Sequence, residues 1–208
     1  MPKARLEAFS DGVIAVIITI MVLEMKVPHG TDLASLAPLW PVFLAYVLSY
    51  VYVGIYWNNH HHLMHAVQRI NGSILWANLH LLFWLALVPF VTGWMSENHF
   101  ASLPVALYGV VLLFSGLAFV LLTQCLVTIH GEESEIARSM HGDRKGKLSV
   151  AIYTFAIPLA FVRWWIALAL YAFVAAMWFV PDPRIERRWR LVAGRNPAWW
   201  GRARVRIP

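Results

Sequence analysis

The stretch that decides the fold is RLEAFSDGVIAVIITIMVLEM, residues 5–25, in which a polar beginning leads into a long apolar run. No charged residue occurs between Asp11 and Glu24. An aspartate inside a membrane helix costs roughly 2.5–3.5 kcal/mol on insertion scales, so such a side chain normally has a polar partner or lines a wet cavity. The stretch therefore predicts a membrane-spanning helix whose aspartate binds a group elsewhere in the protein.

The composition also indicates a membrane protein. Of 208 residues, 60% are hydrophobic and 13% are charged, and the mean hydropathy is +0.60, a balance typical of an integral membrane protein. Cys125 is the only cysteine, so the chain forms no intrachain disulfide. The basic residues behind the net charge of +6 are concentrated at segment ends and in the C-terminal region, which argues against nucleic-acid binding.

Long uncharged runs recur along the chain: 12–23, 33–68, 70–96, 98–131, 148–162 and 164–181. Because about 20 apolar residues cross a bilayer core, the first run needs its polar flanks to form a span, and the fifth is rather short. We predict an all-α protein with six transmembrane helices in one domain, residues 1–182, followed by a basic tail, residues 183–208. The approximate helix ranges are 5–27, 36–64, 73–95, 103–129, 148–162 and 164–181. In the alternative, the region around Arg163 is one long interrupted helix, which gives five spans.

The distribution of basic residues predicts the orientation. With six helices and the N-terminus inside, 15 of the 17 Lys and Arg residues fall in the inner segments, and only Lys26 and Arg163 fall in outer loops. Because basic residues are retained on the cytoplasmic side, both termini are expected in the cytoplasm. At about 1 kcal/mol for each basic residue near an anionic leaflet, the eight tail arginines are expected to hold the tail against anionic lipids.

Helical geometry sorts the first span into two faces. At about 100° per residue, one stripe of residues lies within about 60° of Val16 around the helix axis: Gly12, Val16, Thr19, Ile20, Leu23 and Val27. Ser10 falls near +120° and Asp11 near −140°, so both turn away from this stripe. We expect the polar pair to fasten the helix to its neighbours. The stripe faces either a core or, in an oligomer, a central axis.

The histidine-rich stretch NNHHHLMH, residues 58–65, suggests other classes of protein. His61 and His65 share a helix face at i and i+4 and are candidate zinc or haem ligands. The carboxylate of an H-E-x-x-H motif is missing, so ordinary hydrogen bonding is favoured for them and no metal site is predicted. No G-x-S-x-G motif is present either, and an enzyme is therefore not predicted.

A proton-coupled transporter is the more serious alternative. Asp11, His80 and Glu24 are candidates for a proton relay, because ionisable groups within membranes are often functional. The inverted repeats with broken helices that are usual in transporters are not visible in this sequence. Single-channel steps, as opposed to saturating flux coupled to a gradient, would separate a channel from a transporter.

The pattern R-x-x-x-F-S-D at the start of a first membrane helix resembles the signature of the lysosomal and bacterial TMEM175-type potassium channels. Together with the six-helix count and the basic tail, the likeness covers the whole chain. Eight motif residues support it: Arg5, Phe9, Ser10, Asp11, Trp57, His60, His61 and Asn78. The family lacks the carbonyl-lined filter of ordinary potassium channels, and this sequence also contains no TVGYG segment.

The resemblance implies a homotetramer in which the first helices line a potassium pathway that needs no cofactor, in a bacterial inner membrane. By position after the motif phenylalanine, Val16, Thr19, Ile20 and Leu23 are implied to face the conduit, and they match the stripe found from angles alone. The family usually places isoleucine or leucine where Val16 stands and alanine where Gly12 stands. The slimmer valine shifts the expected constriction toward Ile20 or Leu23.

The apolar stripe and the motif residues are expected to have different roles. An apolar ring gates by dewetting, since a narrow ring holds no continuous water column. Ser10 and Asp11 are expected to bind polar groups on helices two and three, with candidate partners Trp57, His60, His61 and Asn78. Arg5 and Phe9, at i and i+4, are expected to stack.

Overall fold

The computed structural model describes residues 2–131, 133–134, 136–137 and 144–179. A 3₁₀ helix, Leu33–Leu39, precedes the second α-helix. The α-helices are α1 (Lys3–Leu23), α2 (Trp40–His65), α3 (Gly72–Ala86), α4 (Val88–Glu97), α5 (Ser102–His130), α6 (Arg144–Ala160) and α7 (Trp164–Phe179). Because α3 and α4 follow each other across one residue, the described part of the chain forms six helical segments. The predicted all-α fold with six helices is confirmed, and the tail, residues 183–208, lies outside the described residues.

Four segments are long and apolar enough to cross a membrane: Lys3–Leu23, Leu33–His65, Gly72–Glu97 and Ser102–His130. The last two helices, of 17 and 16 residues, rise about 24–26 Å at about 1.5 Å per residue. They pack against each other, and Trp178 Nε1 near the end of α7 donates to Ser149 Oγ near the start of α6 at 2.9 Å. They therefore form an antiparallel hairpin, which excludes the single interrupted helix of the five-span alternative.

Contacts at the helix ends establish an up-and-down order. Lys3 Nζ at the start of α1 donates to the His65 carbonyl at the end of α2 at 3.3 Å. At the opposite side, Lys26 Nζ lies 2.8 Å from Glu97 Oε1 at the end of α4. The ring of Phe100 stacks on Trp164 at the start of α7, with centroids 5.7 Å apart. Successive segments therefore cross in alternate directions.

The charges of the described residues divide by side in the way the sequence predicts. Two basic residues lie on the side where α1 ends, Lys26 and Arg163. The side of the α1 N-terminus has six: Lys3, Arg5, Arg69, Arg144, Lys145 and Lys147. Cytoplasmic loops carry an excess of Lys and Arg, so this asymmetry assigns the side of the α1 N-terminus to the cytoplasm.

Prolines account for the main differences from the predicted helix ranges. The first helix ends at Leu23, four residues before the predicted end, and Val27 lies outside it because a residue before a proline disfavours helical geometry. The third span breaks at Leu87. Pro89 lacks the N–H that would bond to Leu85, and its ring crowds that carbonyl. The predicted start of α2 is replaced by the 3₁₀ helix, which contains Pro38.

A buried network of hydroxyl groups joins the helices on the far side of the bundle from α1. Tyr52 Oη donates to the Tyr171 carbonyl at 2.6 Å and accepts from Tyr153 Oη at 3.2 Å. Tyr171 also requires Gly109, since a Cβ there would overlap the tyrosine hydroxyl. The network connects α2, α6 and α7 and gives α1 a firm bundle to pack against.

Candidate pore helix and its polar anchor

The two faces of α1 differ sharply in burial. The residues that face the bundle are buried: Leu6, Ser10, Ile14, Ile17 and Met21. The residues of the stripe predicted from angles are exposed on the subunit: Gly12, Val16, Thr19, Ile20 and Leu23. Val16 is 54%, Ile20 41% and Leu23 79% exposed. The four residues implied to line the conduit thus share one face of α1 that its own subunit does not cover.

A buried polar anchor fastens the opposite face. Asn78 Nδ2 on α3 donates to Ser10 Oγ at 2.9 Å, and Ser10 Oγ donates in turn to the Leu6 carbonyl at 2.9 Å. His60 on α2 lies 2.8 Å from Asn78 Oδ1 through its Nε2. Because that amide oxygen only accepts, His60 donates from Nε2. Among the described residues, no buried side-chain nitrogen or oxygen lacks a hydrogen-bond partner. Ser10, Asn78 and His60 therefore join three helices without an unpaired buried polar atom.

Asp11 has a separate partner at the edge of the bundle. Trp57 Nε1 on α2 donates to Asp11 Oδ1 at 3.0 Å. The Trp57 ring stacks on His61, with centroids 5.9 Å apart and planes 24° apart. His61 Nε2 lies 3.0 Å from His65 Nε2. The partners expected for the motif are thus divided: Ser10 binds Asn78, Asp11 binds Trp57, and His61 supports the indole ring.

The first two motif residues behave differently from the expectation. Arg5 and Phe9 are exposed, and no ring contact joins them among the described residues, where the cation–π contact found is that of Lys145 with Trp178 at 6.0 Å. Phe9, 49% exposed, instead lies at one end of a surface groove.

This groove runs between α1 and α4 and encloses about 960 Å³. Its walls are mostly apolar, and Val16, Ile17 and Ile20 from α1 face Pro89 and Phe90 from α4. Glu24 and Glu97 lie at its far end. The groove is therefore a long apolar depression, and Gly12, Val16 and Ile20 of the stripe form part of its α1 wall.

Charged groups lie at the far end of the groove, in the loop after α1 and at the end of α4. The hydrogen bond and the charge of Glu97 raise the pKa of Lys26. Nearby, Asp32 caps the 3₁₀ helix by accepting from the backbone N–H of Ser35 at 3.1 Å and from its hydroxyl. These bonds lower the pKa of Asp32 and hold the loop after α1 in place.

The residues suggested for a proton relay lie apart. Asp11 and Glu24 are 13 residues apart in sequence, about 20 Å along a helix. His80 accepts a hydrogen bond from Trp84 Nε1 on its own helix at 2.9 Å. Its hydrogen-bond partner is therefore neither Asp11 nor Glu24. Within the described residues, no group of three or more His, Cys, Asp or Glu side chains converges to hold a metal ion.

Two structural features were missed by the sequence reasoning. His130 at the end of α5 accepts the backbone N–H groups of Gln68 and Arg69 at 3.0 and 3.2 Å, which ties α5 to the connection between α2 and α3. The hydroxyl network was also missed. Ser49 also belongs to this set of buried hydroxyl groups, with its Oγ 2.7 Å from Thr92 Oγ1, and Tyr56 Oη donates to the Leu112 carbonyl. The signal for these contacts is the spacing of Ser49, Tyr52 and Tyr56, which places three polar side chains on one helix face.

Fold and site together define a multi-pass α-helical membrane protein whose N-terminal helix is fixed on one face and uncovered on the other. Residues 5–89 match the family model for the endosomal/lysosomal potassium channel TMEM175. A potassium channel of Chryseobacterium sp. is 52% identical over 187 residues, which cover 90% of this chain and 97% of that protein. The chain belongs to the TMEM175 family.

Two further comparisons extend the similarity. The crystal structure of a lysosomal potassium-selective channel TMEM175 homolog from Chamaesiphon minutus superposes with a TM-score of 0.73 and 29% identity, covering 85% of this chain and 95% of that chain. The endosomal/lysosomal proton channel TMEM175 of Gallus gallus is 32% identical over 109 residues, which cover 47% of this chain and 22% of that protein. The first match shows that the six-segment architecture is shared over nearly the full described chain.

Proposed function

We propose that the chain forms a modestly selective, leak-like potassium channel in which four copies place α1 around a shared axis. The observation that supports this most directly is the uncovered apolar stripe of α1, which lies opposite the anchored face of the same helix. The names of the Chryseobacterium and Chamaesiphon relatives support potassium as the permeant ion. In this arrangement Val16, Thr19, Ile20 and Leu23 line the conduit.

The apolar rings act as the gate. Four copies of Ile20 or Leu23 brought close together hold no continuous water column, and an ion that enters loses hydration without a replacement. A slight widening restores the water and allows conduction. Selectivity in such a conduit is modest, because potassium sheds its hydration at a smaller cost than sodium does.

Thr19 supplies the oxygen atoms on the proposed conduit wall. Its hydroxyl donates to the Val16 carbonyl within α1 at 2.9 Å, so the proton is already bonded and the oxygen lone pairs stay available to a cation. Four such oxygens replace part of the hydration shell of a passing potassium ion. No cofactor takes part in this pathway.

The groove between α1 and α4 supports the proposed assembly. It is apolar and shares Gly12, Val16 and Ile20 with the stripe, so an adjacent copy of the chain can pack against its α4 wall while these α1 residues stay turned toward the axis. Small residues at Gly12 and Gly93 border this groove and permit close approach of helices.

The proposed location is the bacterial inner membrane, with both termini in the cytoplasm. Six of the eight basic residues in the described part of the chain lie on the side of the α1 N-terminus, as cytoplasmic loops do. The basic tail, residues 183–208, is proposed to lie on anionic lipids of the same leaflet, and no nucleic-acid partner is proposed.

The test is a recording in planar bilayers under opposed potassium and sodium gradients. Wild-type protein is expected to give discrete current steps, with a reversal potential closer to the equilibrium potential of potassium than to that of sodium. Val16→Ala, Ile20→Ala and Leu23→Ala are expected to raise open probability or leak, because each removes part of an apolar ring. Leu121→Ala on α5 is the matched control, since Leu121 is 42% exposed on another helix, and it is expected to leave the currents unchanged.

The same recordings distinguish the rival functions. A saturating flux coupled to a proton gradient, with no current steps, would favour the transporter. A reversal potential that follows the proton gradient alone would favour proton conduction, as the name of the Gallus gallus relative suggests for that protein. Wild-type currents that none of the three α1 variants changes would contradict the assignment of the conduit.

A further inference from the structure

One cluster of side chains is left over by the proposed conduit: the exposed histidines at the end of α2. His61, His62 and His65 all lie on the surface of the subunit, on the side of the membrane where α1 begins. His61 and His65 are one turn apart, and their Nε2 atoms lie 3.0 Å from each other. The ring centroids are 4.5 Å apart, so the two rings already converge on one point.

The distance between the two Nε2 atoms is close to that of two histidine nitrogens bound to the same metal ion. Two imidazole nitrogens bound to one zinc ion at about 2.0–2.1 Å each lie about 3 Å apart, or slightly more in a tetrahedral site. The contact between the two Nε2 atoms needs a proton on one of them. When a metal ion binds, the donor ring loses this proton from Nε2 to water and gains one at Nδ1, so that both rings stay neutral and both Nε2 lone pairs bind the metal. Little movement of either ring is required.

The surroundings define what kind of site this is. No third His, Cys, Asp or Glu side chain joins the pair in the described part of the chain, which leaves the other coordination positions to water. The two ligands are nitrogen atoms, which suit Zn²⁺, Ni²⁺ and Cu²⁺ better than Mg²⁺ or Ca²⁺. The nearby Lys3 lies 3.8 Å from Glu7, which offsets its repulsion of a cation. The site is therefore open and reversible.

We propose that His61 and His65 bind a divalent transition-metal ion on the side of the N-terminus, and that its binding alters conduction. The link to the conduit is short: His61 stacks on Trp57, and Trp57 donates to Asp11 on α1. A metal ion that fixes the His61 ring also fixes Trp57 against Asp11. The part of the proposal that concerns conduction rests on the proposed channel function, whereas the binding of the metal does not.

Isothermal titration calorimetry tests the site directly. The full-length chain, purified without a polyhistidine tag and stripped of metal, is titrated with ZnCl₂ and, separately, with NiCl₂. Wild type and His62→Ala are expected to bind one ion per chain. The double variant His61→Ala/His65→Ala is expected to bind at least about tenfold more weakly, since even outer-shell changes cost that much. Both ligands are exposed, and an unchanged melting temperature of the double variant confirms that it is folded.

His62 makes the control sharp, because it is an exposed histidine on the same turn whose ring lies edge-on to His61, with centroids 5.7 Å apart, but takes no part in the Nε2–Nε2 contact of the pair. Equal binding by wild type and the double variant would overturn the site, as would the absence of any heat in wild type. Loss of binding in His62→Ala to the same extent as in the double variant would also overturn it.

The second arm adds ZnCl₂ to the N-terminal side of a planar bilayer. Wild type and His62→Ala are expected to change their current at the concentrations that fill the site, with reversal by a chelator, and the double variant is expected to need at least about tenfold more metal. An unchanged wild-type current at full occupancy, or an equal response of the double variant, would overturn the coupling. If no protein conducts at all, the proposed channel function fails, and calorimetry still decides the metal site.

Discussion

The two faces of α1 have almost the same apolar composition and opposite surroundings. On one face, Ile14 is 1% and Ile17 is 4% exposed. On the other, Val16 and Ile20 are 54% and 41% exposed. Hydrophobicity alone does not decide which face turns inward, because lipid accepts isoleucine as readily as a protein core does. What differs is Ser10, whose bond to Asn78 fixes the rotation of the helix and so leaves the stripe for another surface.

The largest effect is expected from the same substitution placed on each face. Ile14→Ala leaves a cavity in a packed region and is expected to destabilise the subunit by roughly 2 kcal/mol or more. Ile20→Ala is expected to leave the unfolding midpoint almost unchanged and to alter conduction instead. Unfolding in detergent, monitored by circular dichroism, measures the first effect, and bilayer recordings measure the second. Equal destabilisation by both variants would show that the subunit itself covers the stripe.

The next effect concerns the anchor itself. Asn78→Ala removes the group that binds Ser10 and His60, and leaving such buried polar groups unpaired costs about 1–3 kcal/mol. We expect a lower unfolding midpoint and a loss of the assembled form in size-exclusion chromatography. Asn58→Ala, two residues before His60 on α2 and exposed, is the control. If Asn78→Ala assembles and unfolds like Asn58→Ala, the anchor does not set the rotation of α1.

The sequence was informative where periodicity and polarity agree. The stripe and the anchored face follow from helix geometry, because Ser10 is a polar residue within an apolar run and must find a partner. The contact between Asn78 and His60 was not predicted, since nothing in their spacing of 18 residues indicates that α2 and α3 pack with these positions in register. Tertiary packing decides such a contact, and a single sequence contains little information about it.

The hydrophobic periodicity of the sequence did not predict two other features, for different physical reasons. The break at Leu87 arises because Pro89 removes one helix hydrogen bond, yet the apolar run continues through it and hides the break. The sequence also did not predict that Ser10 and Asp11 would bind different partners. Asp11 was expected to find a polar partner on another helix or a wet cavity. It lies at the exposed edge of the bundle, where the indole N–H of Trp57 on α2 is its partner.

A smaller effect is expected at this edge contact. Trp57→Phe removes the hydrogen bond to Asp11 and is expected to cost about 0.5–1.5 kcal/mol, while it keeps an aromatic ring against His61. Asp11→Ala is expected to weaken assembly in the same way and to leave the potassium-to-sodium preference unchanged, because the aspartate faces away from the stripe. Asp11→Asn keeps an acceptor oxygen and is the conservative control. Normal assembly of Asp11→Ala together with a changed ion preference would place the carboxylate in the conduit.

The smallest effect has the opposite sign. A Cβ added at Gly12 meets no atom of the subunit within 4 Å, and alanine is favoured over glycine in a helix by about 1 kcal/mol. Gly12→Ala is therefore expected to raise the unfolding midpoint of the subunit slightly. Because Gly12 lies on the stripe, the added methyl groups meet one another only in an assembly around α1. A more stable subunit with altered current steps would locate the neighbouring copies at this face, whereas a less stable subunit would show that α1 is packed more closely than its surface indicates.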